Sequence, residues 1–333
     1  MPDRMPDRPD PRRLSLAVPA IVLAILILAA PGVLLVIFGG ILLAVFLRAG
    51  GQAIARRTGL GPRAGVGLFM ASLLAALVLF ALFAAPSVGD QFDRLATRLP
   101  EALDSLRQRL EASEWSRAVT RMLRPDPAAG MPASAIGATL GVLGNAVVLL
   151  FIGIYGAIDP DPYRRGFRAL FAPALRGKVD ALIDAAAAQL RGWLVARLFS
   201  MAVAGGLTTL GLWAAGVPLA LVLGLIAGLS GFIPNLGPVL SALPALALAL
   251  AGDAPVWVVA GLYLAVQTVE SYLLTPLVEA REVSLPPALV LAAQLLMGVL
   301  FGIGGVALAS PLAAVGLVVI RRAYVRDVLE ARA

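Results

Sequence analysis

The sequence predicts an all-α polytopic membrane protein, and three observations predict it. Of the 333 residues, 60% are hydrophobic and only 14% charged, whereas soluble domains carry roughly 25% charged residues and so have the polar surface that this chain lacks. Mean hydropathy is +0.91. Stretches without a single charge run over 14–47, 64–89, 127–158, 198–252, 254–269 and 283–320, and a crossing needs only about 20 apolar residues. The basic residues, finally, fall unevenly between the polar segments, as they do in chains that orient themselves in a bilayer.

The elements follow in order. Residues 1–13, proline-rich and alternating in charge, have nothing apolar to pack and are expected to be a disordered tail. The run 14–47 would be about 51 Å long as one helix, so it folds back at Pro31 and Gly32 into helices 14–30 and 33–47. Arg12 and Arg13 before an apolar run resemble a signal peptide, but a second apolar run follows at once, so the segment is expected to stay. Further helices are expected at 64–86, 134–158, 198–216, 219–233, 236–250, 256–276, 288–303 and 305–320. That makes about eight transmembrane helices, or up to ten apolar segments with the short pairs as re-entrant or broken helical hairpins. The chain thus divides into the tail 1–13, N-terminal transmembrane helices 14–86, an external segment 87–133, a helix 134–158, a cytoplasmic segment 159–197, a core 198–320 and a tail 321–333.

Charge sets the orientation. The tails, the loop 48–63, the segment 159–197 and Arg281 together hold 20 basic residues, and 87–133 holds the other 7. Cytoplasmic loops retain Arg and Lys, so both termini are expected in the cytoplasm. In 87–124 the residues Val88, Phe92, Leu95, Leu99, Leu103, Leu106 and Leu110 recur three and four apart, the mark of an amphipathic helix that Pro100 should kink or restart. Such a helix packs on its own protein or on a neighbouring subunit, or else serves as a gate or partner-binding arm. In 163–194 the stripe Phe167, Phe171, Leu175, Leu182, Leu190 and Trp193, with Arg164, Arg165, Arg168 and Arg176, predicts a helix lying at the cytoplasmic lipid interface. The basic excess follows from orientation and anionic lipid, and no module of basic and aromatic residues points to nucleic acid.

The chain has no Cys and no His, which excludes disulfides, thiolate nucleophiles, histidine bases and His or Cys metal sites. No phosphate-loop or dinucleotide motif is present, so neither cofactor, metal nor enzymatic activity is expected. A single lysine, Lys178, among 27 basic residues suggests a GC-rich bacterial genome.

One acidic residue falls inside an apolar helix. Glu270 sits past the middle of 256–276, where a charged carboxylate costs at least ~2.5 kcal/mol and must face protein or a water-filled cavity. Gln267 lies one turn before it, Ser271 and Thr275 follow, and Pro276 breaks the helix, so a polar notch is expected there. The alternative is a carboxylate hydrogen-bonded to a neighbouring helix for packing alone. A second signal is Gly231-Phe232-Ile233-Pro234-Asn235-Leu236-Gly237-Pro238, set between two apolar segments each only about 22 Å long. A hairpin entering the membrane would hold at its tip backbone groups no helix satisfies, together with the Asn235 amide. The segment 288–320, broken at Gly302, Gly304 and Gly305 and again at Pro311, is a parallel case. The spacing GxxxGxxG occurs at Gly137, Gly141 and Gly144, at Gly224, Gly228 and Gly231, and at Gly298, Gly302 and Gly305; close helix packing accounts for it.

In this order, Gly231 to Pro238, Gln267-Thr268-Val269-Glu270 with Leu274-Thr275-Pro276, Leu300 to Gly305 and Ser310-Pro311-Leu312-Ala313 resemble the autoinducer-2 exporter family of bacterial permeases. The likeness is best over 198–320. It implies a multi-pass transporter of the bacterial inner membrane, some of whose relatives export autoinducer-2 while others exchange sodium or lithium for protons. It also implies a homo-oligomer, with a pentamer foremost. Pro234, Gly237 and Pro238 would shape the hairpin, and Gln267 and Glu270 would line the route. Two positions depart from the pattern: Asn235 stands where the family often has Tyr, and Leu285 before Pro286 where a His is frequent. Export of a small polar metabolite or signal is the first expectation, monovalent cation/proton antiport the second, and a membrane scaffold with no solute path the third.

Overall fold

The computed structural model describes residues 30–111, 134–253, 255–274 and 286–322, and every regular element among them is helical. In chain order these are α1 (Pro31–Thr58), α2 (Pro62–Phe83), α3 (Ala85–Glu111), α4 (Ser134–Ile158), α5 (Asp161–Ala169), α6 (Arg176–Ala214), α7 (Ala220–Ser230), α8 (Leu236–Leu248), α9 (Val256–Val269) and α10 (Pro287–Val319). A 3-10 turn, Pro173–Leu175, precedes α6, and π-helical turns, Ala249–Asp253 and Glu270–Leu274, extend α8 and α9. Five stretches are long and apolar enough to cross a membrane: Gly32–Thr58, Pro62–Phe83, Pro173–Ala214, Val256–Leu274 and Pro287–Arg322. The bent pair Leu143–Ile158 and Asp161–Ala169 adds a sixth. Residues 1–29, with nearly all of the expected helix 14–30, residues 323–333 of the C-terminal tail, Thr275, Pro276 and Leu285 lie outside the described residues.

The helix 134–158 stands where expected, but two boundaries move, because a charge ends a membrane segment without ending a helix. The helix expected at 33–47 continues to Thr58 and stops at Gly59, whose φ of 74° lets its N–H bond Ala55. The boundary expected at 197/198 does not exist. α6 runs unbroken from Arg176 to Ala214, about 58 Å, and so joins the expected cytoplasmic segment to the expected core. Pro100 likewise lies within α3 without ending it.

Two compact units divide the chain, with boundaries inside α2, α4 and α6. In the first unit α1 packs on α2 and α4 around Leu47, Val66 and Ala157. Glycine brings the backbones close: a Cβ on Gly40 would lie 2.6 Å from Ile152, and one on Gly51 2.6 Å from Val66. Arg48 donates to the carbonyl of Ala157 at 3.2 Å. After Ile158 the chain turns by 97° into α5, which exposes Tyr163 and Phe167 and is tied to α6 by Arg164–Asp184 at 2.8 Å and Arg168–Asp180 at 3.1 Å.

α10 is one run of helical residues but two legs. Gly302, with φ 63° and ψ −148°, is not helical. A Cβ on Gly298 would lie 2.9 Å from Val306, and one on Gly305 would run into the Met297 carbonyl. Residues eight apart in a straight helix are about 12 Å apart, so the chain folds back at Gly302 and its legs lie side by side. The break expected among Gly302, Gly304 and Gly305 therefore falls at Gly302. The one expected at Pro311 is absent: Pro311 is buried within the second leg and does not end it, since one proline removes a single helical hydrogen bond.

In the second unit α7 and α8 form the other hairpin. Its core joins Leu212 of α6, Val222 and Leu223 of α7, Leu248 of α8 and Val259 of α9 to Leu95 and Ala102 of α3. Val88, Leu95 and Leu99 of the expected α3 stripe thus pack on their own protein, whereas Phe92 and Leu103 of the same stripe are exposed. Gln91, on the same face of α3 as Val88 and Leu95, accepts from the Val222 N–H at 3.3 Å, one of the donors that the first turn of α7 cannot satisfy itself. Of the three GxxxGxxG copies, Gly224, Gly228 and Gly231 do pack closely on α6, as do Gly298 and Gly305 across the α10 hairpin, whereas Gly141 and Gly144 meet nothing within 4 Å.

The α10 turn gives a test with an internal control. No atom lies within 4 Å of a Cβ at Gly302, so Gly302→Ala should lower stability through backbone strain alone, by about 1–3 kcal/mol. Gly304 has no positive φ and would place its Cβ 3.4 Å from Leu35, an ordinary contact. Gly304→Ala should be neutral or stabilising by up to about 1 kcal/mol. Thermal unfolding of the two variants in detergent measures the difference, and equal losses would show that the hairpin does not depend on Gly302.

Candidate functional site

Glu270 lies where α9 passes from α-helix into the π turn, not within a straight helix as expected. A π turn widens the backbone locally and re-aims its side chains, which is why such turns collect at functional sites. The Glu270 side chain is only 13% exposed, and Arg197 of α6 stands opposite, 14% exposed, with its Nη1 3.6 Å from Oε1 of Glu270. Ser200, one turn further along α6, donates to the same oxygen at 2.9 Å. The carboxylate thus has a counter-charge and a neutral donor on one neighbouring helix.

Arg197 is the site residue that sequence reasoning missed. Cutting the chain at every charge places Arg197 in a cytoplasmic loop by construction. The signal was present in its surroundings: Gly192 to Ala196 and Leu198 to Met201 flank it with a single polar residue, Ser200, so an apolar pattern passes straight through. At 3.6 Å the contact with Glu270 is an ion pair too long for a hydrogen bond. The Nε of Arg197 is buried and has no hydrogen-bond partner among the described residues. A guanidinium carries five donors, and the Nε of this one is capacity that no described residue uses.

The α7–α8 hairpin tip reaches the same stretch of α6. Phe232 meets Trp193 edge-on at 5.6 Å between ring centroids, and Gly231 would place a Cβ 3.4 Å from Met201. Trp193 is one helical turn before Arg197. The tip's N–H groups are taken up locally: Phe232 donates to Leu229, Ile233 to Ser230, Leu236 to Pro234 and Gly237 to Ile233. Turn bonds therefore serve these four N–H groups, which no helix satisfies. The 2.8 Å bond from Leu236 to Pro234 spans two residues, and Asn235 between them has φ 65° and ψ −43°, the strained γ-turn conformation. Gly237 admits no Cβ, which would strike the Ser230 carbonyl.

The other expected path residues are less closely gathered. Gln267 donates to Ser271 at 3.1 Å on the exposed side of α9. Asn235 is exposed and its side chain makes no hydrogen bond among the described residues. Thr275 and Pro276 lie outside those residues. Gly302, Gly304, Gly305 and Pro311 belong to the first unit, whereas Glu270, Arg197, Ser200 and the α7–α8 hairpin belong to the second.

What the arrangement can do chemically follows from its charges. A buried, nearly neutral pair with one donor of Arg197, Nε, unpartnered among the described residues can hydrogen-bond a polar solute. Among the described residues no group of three or more carboxylates or other ligands could hold a metal ion.

Comparison with known proteins bears on the family. The chain is 31% identical over 230 residues, 67% of its length, to the candidate transport protein MT0215 of Mycobacterium tuberculosis (strain CDC 1551 / Oshkosh). It is 29% identical over 203 residues, 59% of its length, to the candidate transport protein YrrI of Bacillus subtilis (strain 168). These alignments span 56% and 58% of the two relatives. The model of the AI-2E family of transporters matches residues 16–325, so this multi-pass membrane protein belongs to the AI-2E transporter family.

Proposed function

We propose that the protein exports a small, neutral, hydroxyl-rich solute across the bacterial cytoplasmic membrane, along a path that passes the Arg197–Glu270 pair. Autoinducer-2, the signal implied by the family resemblance, is of this class. The observation that carries the reading is that Glu270 is already charge-compensated by Arg197 while the guanidinium keeps a buried donor that no described residue uses. A neutral solute leaves the net charge of the pair at zero. A sodium or lithium ion bound there would leave one uncompensated positive charge in the membrane, at a cost of at least ~2.5 kcal/mol. Gln267, Ser271, Thr275 and Asn235 remain candidate path residues on this reading, with Pro234, Pro238 and Pro276 shaping their backbones. Apolar faces left exposed, such as Leu74, Leu77 and Phe83 of α2, are available to lipid and to further copies of the chain in a homo-oligomer.

Uptake of labelled autoinducer-2 by inside-out vesicles tests this. Wild type should accumulate it above empty vesicles, and Glu270→Gln and Arg197→Gln should each cut the rate about tenfold or more, the worth of a hydrogen bond to a charged group. In the same vesicles a pH dye should report no proton movement on adding sodium or lithium. Cation-driven proton flux that disappears in Glu270→Gln would establish antiport instead, and the absence of both activities would favour a scaffold.

Stability should separate the pair's structural role from its functional one. Arg197→Met strands a buried carboxylate and should destabilise by about 3–5 kcal/mol, most of it recovered when Glu270→Met is added. Thermal unfolding of wild type, both single variants and the double variant measures the cycle. If the double variant is stable yet still transports at the wild-type rate, the pair serves the fold alone.

A further inference from the structure

The seam between α6 and α9 continues beyond the ion pair. Ser200 bonds Glu270 at one level, and further along a Cβ on Gly211 would strike the side chain of Leu262. The two helices therefore run antiparallel in a fixed register, and Thr208 of α6 falls near the level of Tyr263 of α9. At about 100° per residue Arg197, Ser200, Ala204, Thr208 and Gly211 share one stripe about 80° wide, and Tyr263 shares a face with Glu270 two turns away. Thr208 is 0% exposed. Its Oγ1 and the Tyr263 hydroxyl are both buried without a hydrogen-bond partner among the described residues.

Neighbouring hydroxyls behave otherwise. Thr209 donates to the Gly205 carbonyl at 2.9 Å, Thr268 to Leu264 at 2.7 Å and Ser241 to Pro238 at 3.0 Å. A threonine inside a helix can bond a carbonyl one turn back in one of its rotamers, and the hydroxyl of Thr208 makes no such bond. A buried hydroxyl held in this way destabilises the fold unless something else bonds it.

Resting on the reading of Glu270 as a path residue, we propose that Thr208 and Tyr263 extend that path. Their hydroxyls are hydrogen-bonding stations about 10–12 Å along the seam from Ser200 and Glu270, occupied by water and, during transport, by the hydroxyl groups of a neutral solute.

Thiol accessibility tests this directly, because the chain has no cysteine of its own. Single cysteines are placed at Thr208, at Ser200 as reporter of the Glu270 site, and at Leu210, 62% exposed on the apolar surface. Each variant in vesicles is treated with a membrane-impermeant trimethylammonium methanethiosulfonate, which needs water to form the reactive thiolate. Thr208→Cys should react within roughly tenfold of Ser200→Cys and about a hundredfold faster than Leu210→Cys. Should Thr208→Cys fold poorly, Ala204→Cys on the same stripe reports the same water. If Ser200→Cys reacts while position 208 reacts only after denaturation, the extension is overturned and the path at Glu270 stands. If neither reacts, both fall. Tyr263→Phe removes one hydroxyl at constant shape and should slow autoinducer-2 uptake severalfold with thermal stability unchanged or raised; unaltered uptake would remove Tyr263 from the path.

Discussion

A carboxylate within a membrane-spanning helix needs compensation, and the Arg197–Glu270 pair supplies it. Much else in the second unit follows. α6 must present Arg197 from a regular helix, so it passes without interruption through a position where hydropathy would end it. α9 must bring Glu270 to the same level, and the π turn that begins at Glu270 turns the carboxylate there. Ser200 then occupies the carboxylate oxygen that Arg197 approaches only loosely. One charge placed in α9 thus constrains the continuity of one helix and the winding of another.

Short helices set a second constraint. A helix too short to span the hydrocarbon exposes its end groups where water is scarce, and those groups need partners from the protein. Here the partners come from different sources. Gln91 on α3 serves the first turn of α7, and successive turn bonds serve the α7–α8 tip. The α10 hairpin turns on Gly302, which reaches its conformation without strain, whereas the α7–α8 hairpin turns on Asn235, which does not. A non-glycine residue kept in a strained turn, with its amide exposed, is easier to understand if the amide meets a ligand than if the turn is only a connection.

How much of this could be read beforehand depends on what kind of signal each feature leaves. Apolar runs and their Gly and Pro interruptions gave the helix 134–158, both hairpins and the part of the α3 stripe formed by Val88, Leu95 and Leu99, because hydropathy and periodicity report burial; Phe92 and Leu103 of that stripe are exposed. Helix ends at Thr58 and across 197 were misplaced, because Arg48, Arg56, Arg57 and Arg197 favour helix as well as loop do. Glu270 stood out as a lone charge in an apolar run. Its partner did not, since pairing is a relation between helices distant in sequence. Thr208 and Tyr263 left no signal at all: each is unremarkable in composition, and only a hydroxyl without a partner distinguishes it.

Those unpartnered groups bear on whether the protein is a transporter or an inert scaffold. A scaffold gains from apolar residues at buried helix contacts, since replacing a buried ion pair or an unbonded hydroxyl by a hydrocarbon of the same shape is neutral or stabilising. In the second unit the opposite choice is made repeatedly on two helices. The Nε of Arg197 and the hydroxyl of Thr208 on α6, and the hydroxyl of Tyr263 on α9, are buried without a hydrogen-bond partner among the described residues, and the same two helices carry the ion pair. Elsewhere in the same helices the hydroxyls of Thr209 and Thr268 are bonded within their own helix. Within the second unit, buried polar groups without a partner among the described residues, gathered on the two helices that carry the ion pair, are the pattern expected where something polar has to pass.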